Sequence, residues 1–116
     1  MARWKRRDPI APRLTHRIEA AIPRAIDDTT AAAAIYAKQN HPGWNNRTGT
    51  AEGSIRFEPA RKLATGKYRG SFGSYDVNYF IYLELGARGR PGDRTLQRAA
   101  DVEFPTLGRR LREVMR

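Results

Sequence analysis

The chain has 116 residues, with 22 Lys and Arg against 12 Asp and Glu for a formal charge of +10, and most of its basic side chains are arginine. Arginine grips phosphate or carboxylate with a planar fork, so the composition fits a nucleic-acid environment, an acidic protein partner or plain solubility. The absence of cysteine excludes disulfides, thiolate catalysis and thiolate metal sites. No stretch approaches the ~20 apolar residues of a transmembrane helix.

At 13.2 kDa one domain is expected. Small domains bury only about two-thirds of the surface exposed by their unfolded chains, so a partner subunit or an assembly would add apolar burial. The opening MARWKRRDPIAP has the charge of a secretion signal but lacks its apolar run and small-residue cleavage site, which predicts synthesis inside the cell.

Residues 1–13 form an expected basic arm, with Arg3, Lys5, Arg6, Arg7 and Arg13 around Trp4. Its prolines at positions 9 and 12 argue against one continuous helix. The arm reads either as a disordered tail or as a contact in which arginines meet phosphate and Trp4 stacks or anchors. The remainder, 14–116, reads as a single domain.

From Leu14 the pattern turns helical. Leu14, Ile18, Ile22 and Ile26 recur every four residues, and Thr29, Ala33 and Ala37 prolong the stripe. Pro23 predicts either a restart or a kink. The helix should end near Asn40, before the turn-forming HPGWNN. Trp44 reads as a lid over that loop or as a partner contact. His16 reads as an ordinary polar residue.

Residues 54–58, SIRFE, alternate as a strand that Pro59 should stop. The ARKLATGK connector is basic and reads as exposed, and residues 68–74 predict a second strand. Residues 77–86, VNYFIYLELG, are the most apolar window and are expected to organise the core. Their periodicity fits a strand or a short helix equally. Glu84, among apolar neighbours, needs an arginine or a backbone partner if buried. A basic loop follows at 87–94, carrying Arg88, Arg90 and Arg94 and expected to be flexible. Beyond it, Leu96, Ala99, Ala100 and Phe104, then Leu107 and Leu111, predict one C-terminal helix interrupted at Pro105 or two helices joined there.

Candidate chemistry is sparse. RGSFGS lacks the spacing of a phosphate-binding loop, adjacent Asp27 and Asp28 point about 100° apart on a helix, and Ser54 and Ser71 have no recognisable activating base. The residues therefore predict a non-enzymatic protein without cofactor or metal, acting through shape, charge and assembly.

The order of features carries a resemblance. Thr48-Gly49 is followed by Ser54-Ile55; the centre holds Tyr79, Tyr82, Glu84 and Gly86; Thr95-Leu96-Gln97-Arg98-Ala99 introduces the last helix. Over roughly residues 14–116 this resembles the small neck or tail-completion proteins of long-tailed bacteriophages, including the tail-component family related to gene product ten of a lambda-like phage. Ala87 departs from the threonine usual there, and the Thr95–Ala99 stretch lacks the internal proline. The resemblance implies an α+β fold, with long N- and C-terminal helices packed on a small antiparallel sheet. It also implies a structural role in a ring, typically hexameric, at the head–tail interface or tail end of the virion. The ring would complete the tail and join it to the DNA-filled head, and it would be assembled in the host cytoplasm. Expected partners are connector or neck proteins and tail-tube or terminator proteins, with non-specific contact to channel DNA and no membrane. Thr48, Gly49, Ser54, Ile55, Tyr79, Tyr82, Glu84, Gly86, Leu96 and Ala99 are the expected motif or core residues. Arg3, Lys5, Arg6, Arg7, Arg88, Arg90 and Arg94 are the expected DNA-channel or partner contacts. The alternative reading is a small basic nucleic-acid-binding protein.

Overall fold

The computed structural model describes residues 10–44, 49–77, 79–87 and 89–116. Helix α1, Ile10–Gln39, is the spine of the fold. It begins inside the expected arm, because Pro12 falls in the first turn, where no intrahelical N–H bond is needed. It also runs unbroken through Pro23. Proline at that position takes away the N–H that would bond the Glu19 carbonyl four residues back. The Tyr68 hydroxyl, arriving from the sheet, lies 3.2 Å from that carbonyl.

The face that α1 buries is made of small side chains. Ala21, Ala25, Thr29, Ala33 and Ala37 are buried along one stripe, with Thr30 and Ala34 beside it, whereas Leu14 is exposed. Ile18, Ile22 and Ile26 are only half-buried. The two threonines are tolerated there because each hydroxyl bonds a carbonyl one turn back, Thr29 to Ala25 at 2.8 Å and Thr30 to Ile26 at 3.0 Å.

A single turn, α2 (Thr50–Gly53), leads into an antiparallel hairpin of β1 (Ile55–Ala64) and β2 (Lys67–Ser74). Pro59 does not stop β1. The register slips between Glu58 and Arg61, and proline is accommodated at such an irregularity on a two-stranded ribbon whose strands are both edges. The N–H of Ala60 within this bulge is taken by Asp27 Oδ1 of α1, at 2.7 Å. The basic connector is therefore mostly strand, turning at Thr65-Gly66. Glu19 pins the far end of the hairpin to the spine: it accepts from the Gly66 N–H at 3.0 Å, pairs with Lys62 at 3.3 Å and holds the Tyr68 hydroxyl.

Residues 80–85 form a short helix, α3 (Phe80–Leu85), followed by a two-residue pairing of β3 (Gly86–Ala87) with β4 (Arg90–Pro91). Helix α4 (Thr95–Glu103), a 3-10 turn (Phe104–Thr106) and α5 (Leu107–Val114) complete the chain. Pro105 thus interrupts the C-terminal helix, as its position predicted. Phe104 meets Phe72 edge-on at 5.8 Å, joining the C-terminal helices to the hairpin.

The architecture is α+β, with a long N-terminal helix and a C-terminal helical segment packed on a small antiparallel sheet. The C-terminal part is two short helices, of 9 and 8 residues, rather than the one long helix the resemblance implies. The core lies where the C-terminal end of α1 meets the base of the hairpin, α3 and α4. It consists of Ala33, Ala34, Ala37, Trp44, Ala51, Ile55, Phe80 and Ala99. The 77–86 window does not organise that core. Among its described residues Phe80 alone is buried, with Val77 and Leu83 packed partly buried against the core. Tyr79, Ile81, Tyr82 and Leu85 are exposed, so the expectation of core positions at Tyr79 and Tyr82 is corrected. A helix this short can turn only one face inward, and the alanine stripe of α1 leaves room for the ring of Phe80 rather than for a whole apolar segment. Among the described residues no helix is long and apolar enough to cross a membrane.

Candidate functional site

The polar residues of the second half converge on the start of α4. Arg94, which precedes that helix, adopts a left-handed conformation (φ 56°) and offers no side-chain cap. Glu84 caps it from a distance instead: Oε1 accepts from the Leu96 N–H at 2.8 Å and Oε2 from the Gln97 N–H at 3.0 Å. The backbone partner anticipated for Glu84 is thus the first turn of α4. Asp93 and Arg94 donate their own N–H groups to the carbonyls of Leu83 (2.7 Å) and Glu84 (3.1 Å). Gly92 presses so closely on α3 that a Cβ there would lie 2.2 Å from the Glu84 carbonyl oxygen. Gly86 ends α3 at φ 92°, ψ 166°, a conformation open essentially to glycine alone. The segment expected to be a flexible basic loop is, from Arg90 onward, clamped to the fold by these contacts.

Beside the clamp, Asp93 joins three elements. Its carboxylate accepts from the Gly43 N–H at 2.7 Å, from Arg98 Nη2 at 2.7 Å and from the Thr95 hydroxyl. Thr95 in turn accepts from Trp44 Nε1 at 2.9 Å. Although burial disfavours the charged form, the bonds from Arg98, Thr95 and Gly43 hold the Asp93 carboxyl below its ordinary range. Trp44 is the expected lid: it stacks on His41 with centroids 3.7 Å apart and meets Phe80 edge-on. His41 places Nδ1 3.0 Å from the Trp44 carbonyl and Nε2 2.9 Å from Glu52. Burial works against the charged ring, but the bonds to Glu52 and Trp44 outweigh it and raise the His41 pKa. Both ring nitrogens are engaged, so this histidine is built as a strut between the α1–α2 loop and α2. No group of three or more metal-type ligands occurs among the described residues.

The remaining motif residues are dispersed around this centre. Gly49 takes φ 80° ahead of α2. Ser54 is buried, bonding the Ala51 carbonyl and the Ser74 hydroxyl; Ile55 and Ala99 are fully buried, and Leu96 packs against the core. Arg94 is exposed. Arg90 contributes its backbone to β4. Arg3, Lys5, Arg6, Arg7, Thr48 and Arg88 lie outside the described residues. His41 and Asp93 carry no role assigned from the sequence, and Thr95 is named there only as the start of the last helix, not as the hydroxyl that links Asp93 to Trp44.

What the clamp presents to solvent is an apolar surface. With Phe80 turned inward, the outer side of α3 carries Tyr79, Ile81, Tyr82 and Leu85, exposed at 46, 55, 60 and 56%. A shallow groove of about 330 Å³, lined by Val77, Ile81, Leu85 and Leu96 among others, borders it. No family model, curated protein or solved structure matches this chain.

Proposed function

We propose that the protein is a structural subunit of a long-tailed phage, assembling into a ring, six-membered by analogy with the proteins it resembles, that completes the tail and joins it to the DNA-filled head. The supporting observation is the outer face of α3. Exposed aromatic and aliphatic side chains cluster on a helix that the Glu84 and Gly92 contacts hold rigid. Contiguous apolar surface of this kind marks protein contacts, and tyrosine is enriched in them. The same residues, Tyr79, Tyr82, Glu84 and Gly86, carry the sequence resemblance. This links the motif to subunit contact: two of its members support the helix and two face outward. The ring role also fits the +10 charge, since a channel that passes DNA needs diffuse attraction rather than base recognition.

Electron microscopy of particles made without the protein tests this reading. DNA-filled heads beside separate tails are expected, and a Tyr82→Ser, Leu85→Ser double variant should reproduce the defect while keeping its native circular dichroism. Intact tailed virions at normal yield without the protein would refute the assignment.

A further inference from the structure

The β1–β2 hairpin has two unlike faces. Tyr68 and Lys62 turn toward α1, where both meet Glu19, and Phe72 turns toward Phe104. By the two-residue alternation of a strand, the neighbours of those residues point the other way. Arg61 and Arg69 are direct cross-strand partners on that outer face, with Lys67 beyond them toward the turn, and all three are exposed.

Like charges directly opposite one another on a sheet are destabilising, and this pair has no internal compensation. Among the described residues the carboxylates form their ion pairs elsewhere, and none is within ion-pair distance of Arg61, Lys67 or Arg69. Glu58 is the one acid on the outer face, opposite Ser71. Besides Ser71 and Gly73, with open space around Gly73, the face carries a further arginine, Arg56, opposite Gly73, which pairs with Asp76 and lies over the Tyr75 ring. Leu63, in the irregular stretch between Lys62 and Ala64, adds one exposed aliphatic side chain, and a single one does not make the apolar centre of a lasting protein interface.

We infer that this face is a polyanion-binding ribbon whose partner is the phosphate backbone of duplex DNA. Arg61, Lys67 and Arg69 concentrate charge where no carboxylate of the described residues forms an ion pair with them. A two-stranded ribbon has the width that the major groove of B-DNA admits. Successive outward residues on a strand advance about 6.6–6.8 Å, close to two base-pair steps of ~3.4 Å each. Glu19 fixes the turn end of the ribbon on α1, which leaves the outer face facing solvent. The inference goes beyond the assembly reading, because it is a property of the single chain.

The test is binding of the full-length protein to a short mixed-sequence duplex, followed by fluorescence anisotropy over a series of salt concentrations. Wild type is compared with an Arg61→Gln, Arg69→Gln double variant. Loss of two phosphate contacts should make the slope of log K against log salt shallower by about 1.8. The variant should melt no lower than wild type, since a repulsive pair has been removed; this separates lost contact from lost fold. Equal slopes and affinities for the two proteins would overturn the inference. So would an absence of duplex binding by wild type, or an equal effect of the substitutions on binding to poly-glutamate, which would assign the face to an acidic protein. Any of these results would leave the ring reading to be judged on its own particles.

Discussion

Replacing Glu84 by alanine removes the cap of α4 at a distance of 12 residues in sequence. The residue that would ordinarily cap the helix, Arg94, has no acceptor to offer, so nothing local replaces the lost bonds. Deleting an N-cap costs about 0.5–2 kcal/mol, and removing a negative charge from a helix N-terminus adds about 0.3–1 kcal/mol. Together these give about 2 kcal/mol for Glu84→Ala. Glutamine keeps one acceptor oxygen but neither the charge nor the second, so Glu84→Gln should cost about half as much. For a chain of this size each kcal/mol moves the melting temperature by about 4 °C, which predicts drops of about 8 °C and 4 °C. Thermal unfolding followed by circular dichroism measures both. An alanine variant that melts with wild type would show that water caps α4 equally well and that the Glu84 bonds do not hold the helix. A glutamine variant worse than alanine would show that the charge-and-cap partition is wrong.

Gly92→Ala should be more disruptive than its size suggests. The added Cβ meets backbone atoms of Glu84 and Leu85 at 2.2–2.5 Å, which cannot swing aside as a side chain tip can. Strain of at least the ~1–3 kcal/mol typical of overpacking is expected, measured by urea unfolding; an unchanged midpoint would mean that the loop is not clamped. For His41, the sign follows from a folded-state pKa raised above 6.5. Its contribution is fully present below the unfolded value and is lost as pH rises through the folded one. The melting temperature should therefore fall as pH rises from about 6.5 upward, and His41→Gln should flatten that part of the profile.

Much of this fold was legible because local signals agreed with their surroundings. The long helix, its end before Pro42, the second strand and the break at Pro105 follow from periodicity and proline chemistry. Pro59 misled because whether proline stops a strand depends on what takes the neighbouring N–H groups, and Asp27 of α1 is 33 residues away from Ala60. The 77–86 window misled for a different reason. Hydrophobicity there was read as burial, yet the buried face of α1 is mostly alanine and threonine, residues that carry little apolar signal but permit close approach. The need of Glu84 for a partner was legible; that the partner is the start of α4 depends on tertiary placement. His41 and Asp93 gave too little local pattern to reveal struts that reach Glu52 and Gly43.

The alanine face of α1 also explains how so small a chain keeps its two surfaces apart. Glu19 anchors the basic end of the hairpin near the start of the spine, whereas Ala37 belongs to the core beneath α3. At 1.5 Å per helical residue these points are about 27 Å apart. Among the described residues the apolar face of α3 and the Arg61–Arg69 pair share no side-chain partner, so substitutions in one should act independently of substitutions in the other. That separation suits a ring component. Its contacts with neighbours require desolvated, apolar surface, whereas a surface facing moving DNA must stay hydrated and bind weakly. Combining the two on one face would force arginines into a subunit interface without partners, at a desolvation cost such an interface could not recover. The long helix keeps the two requirements on separate parts of the molecule, while the Glu19 contacts and the Glu84 cap hold each surface in place.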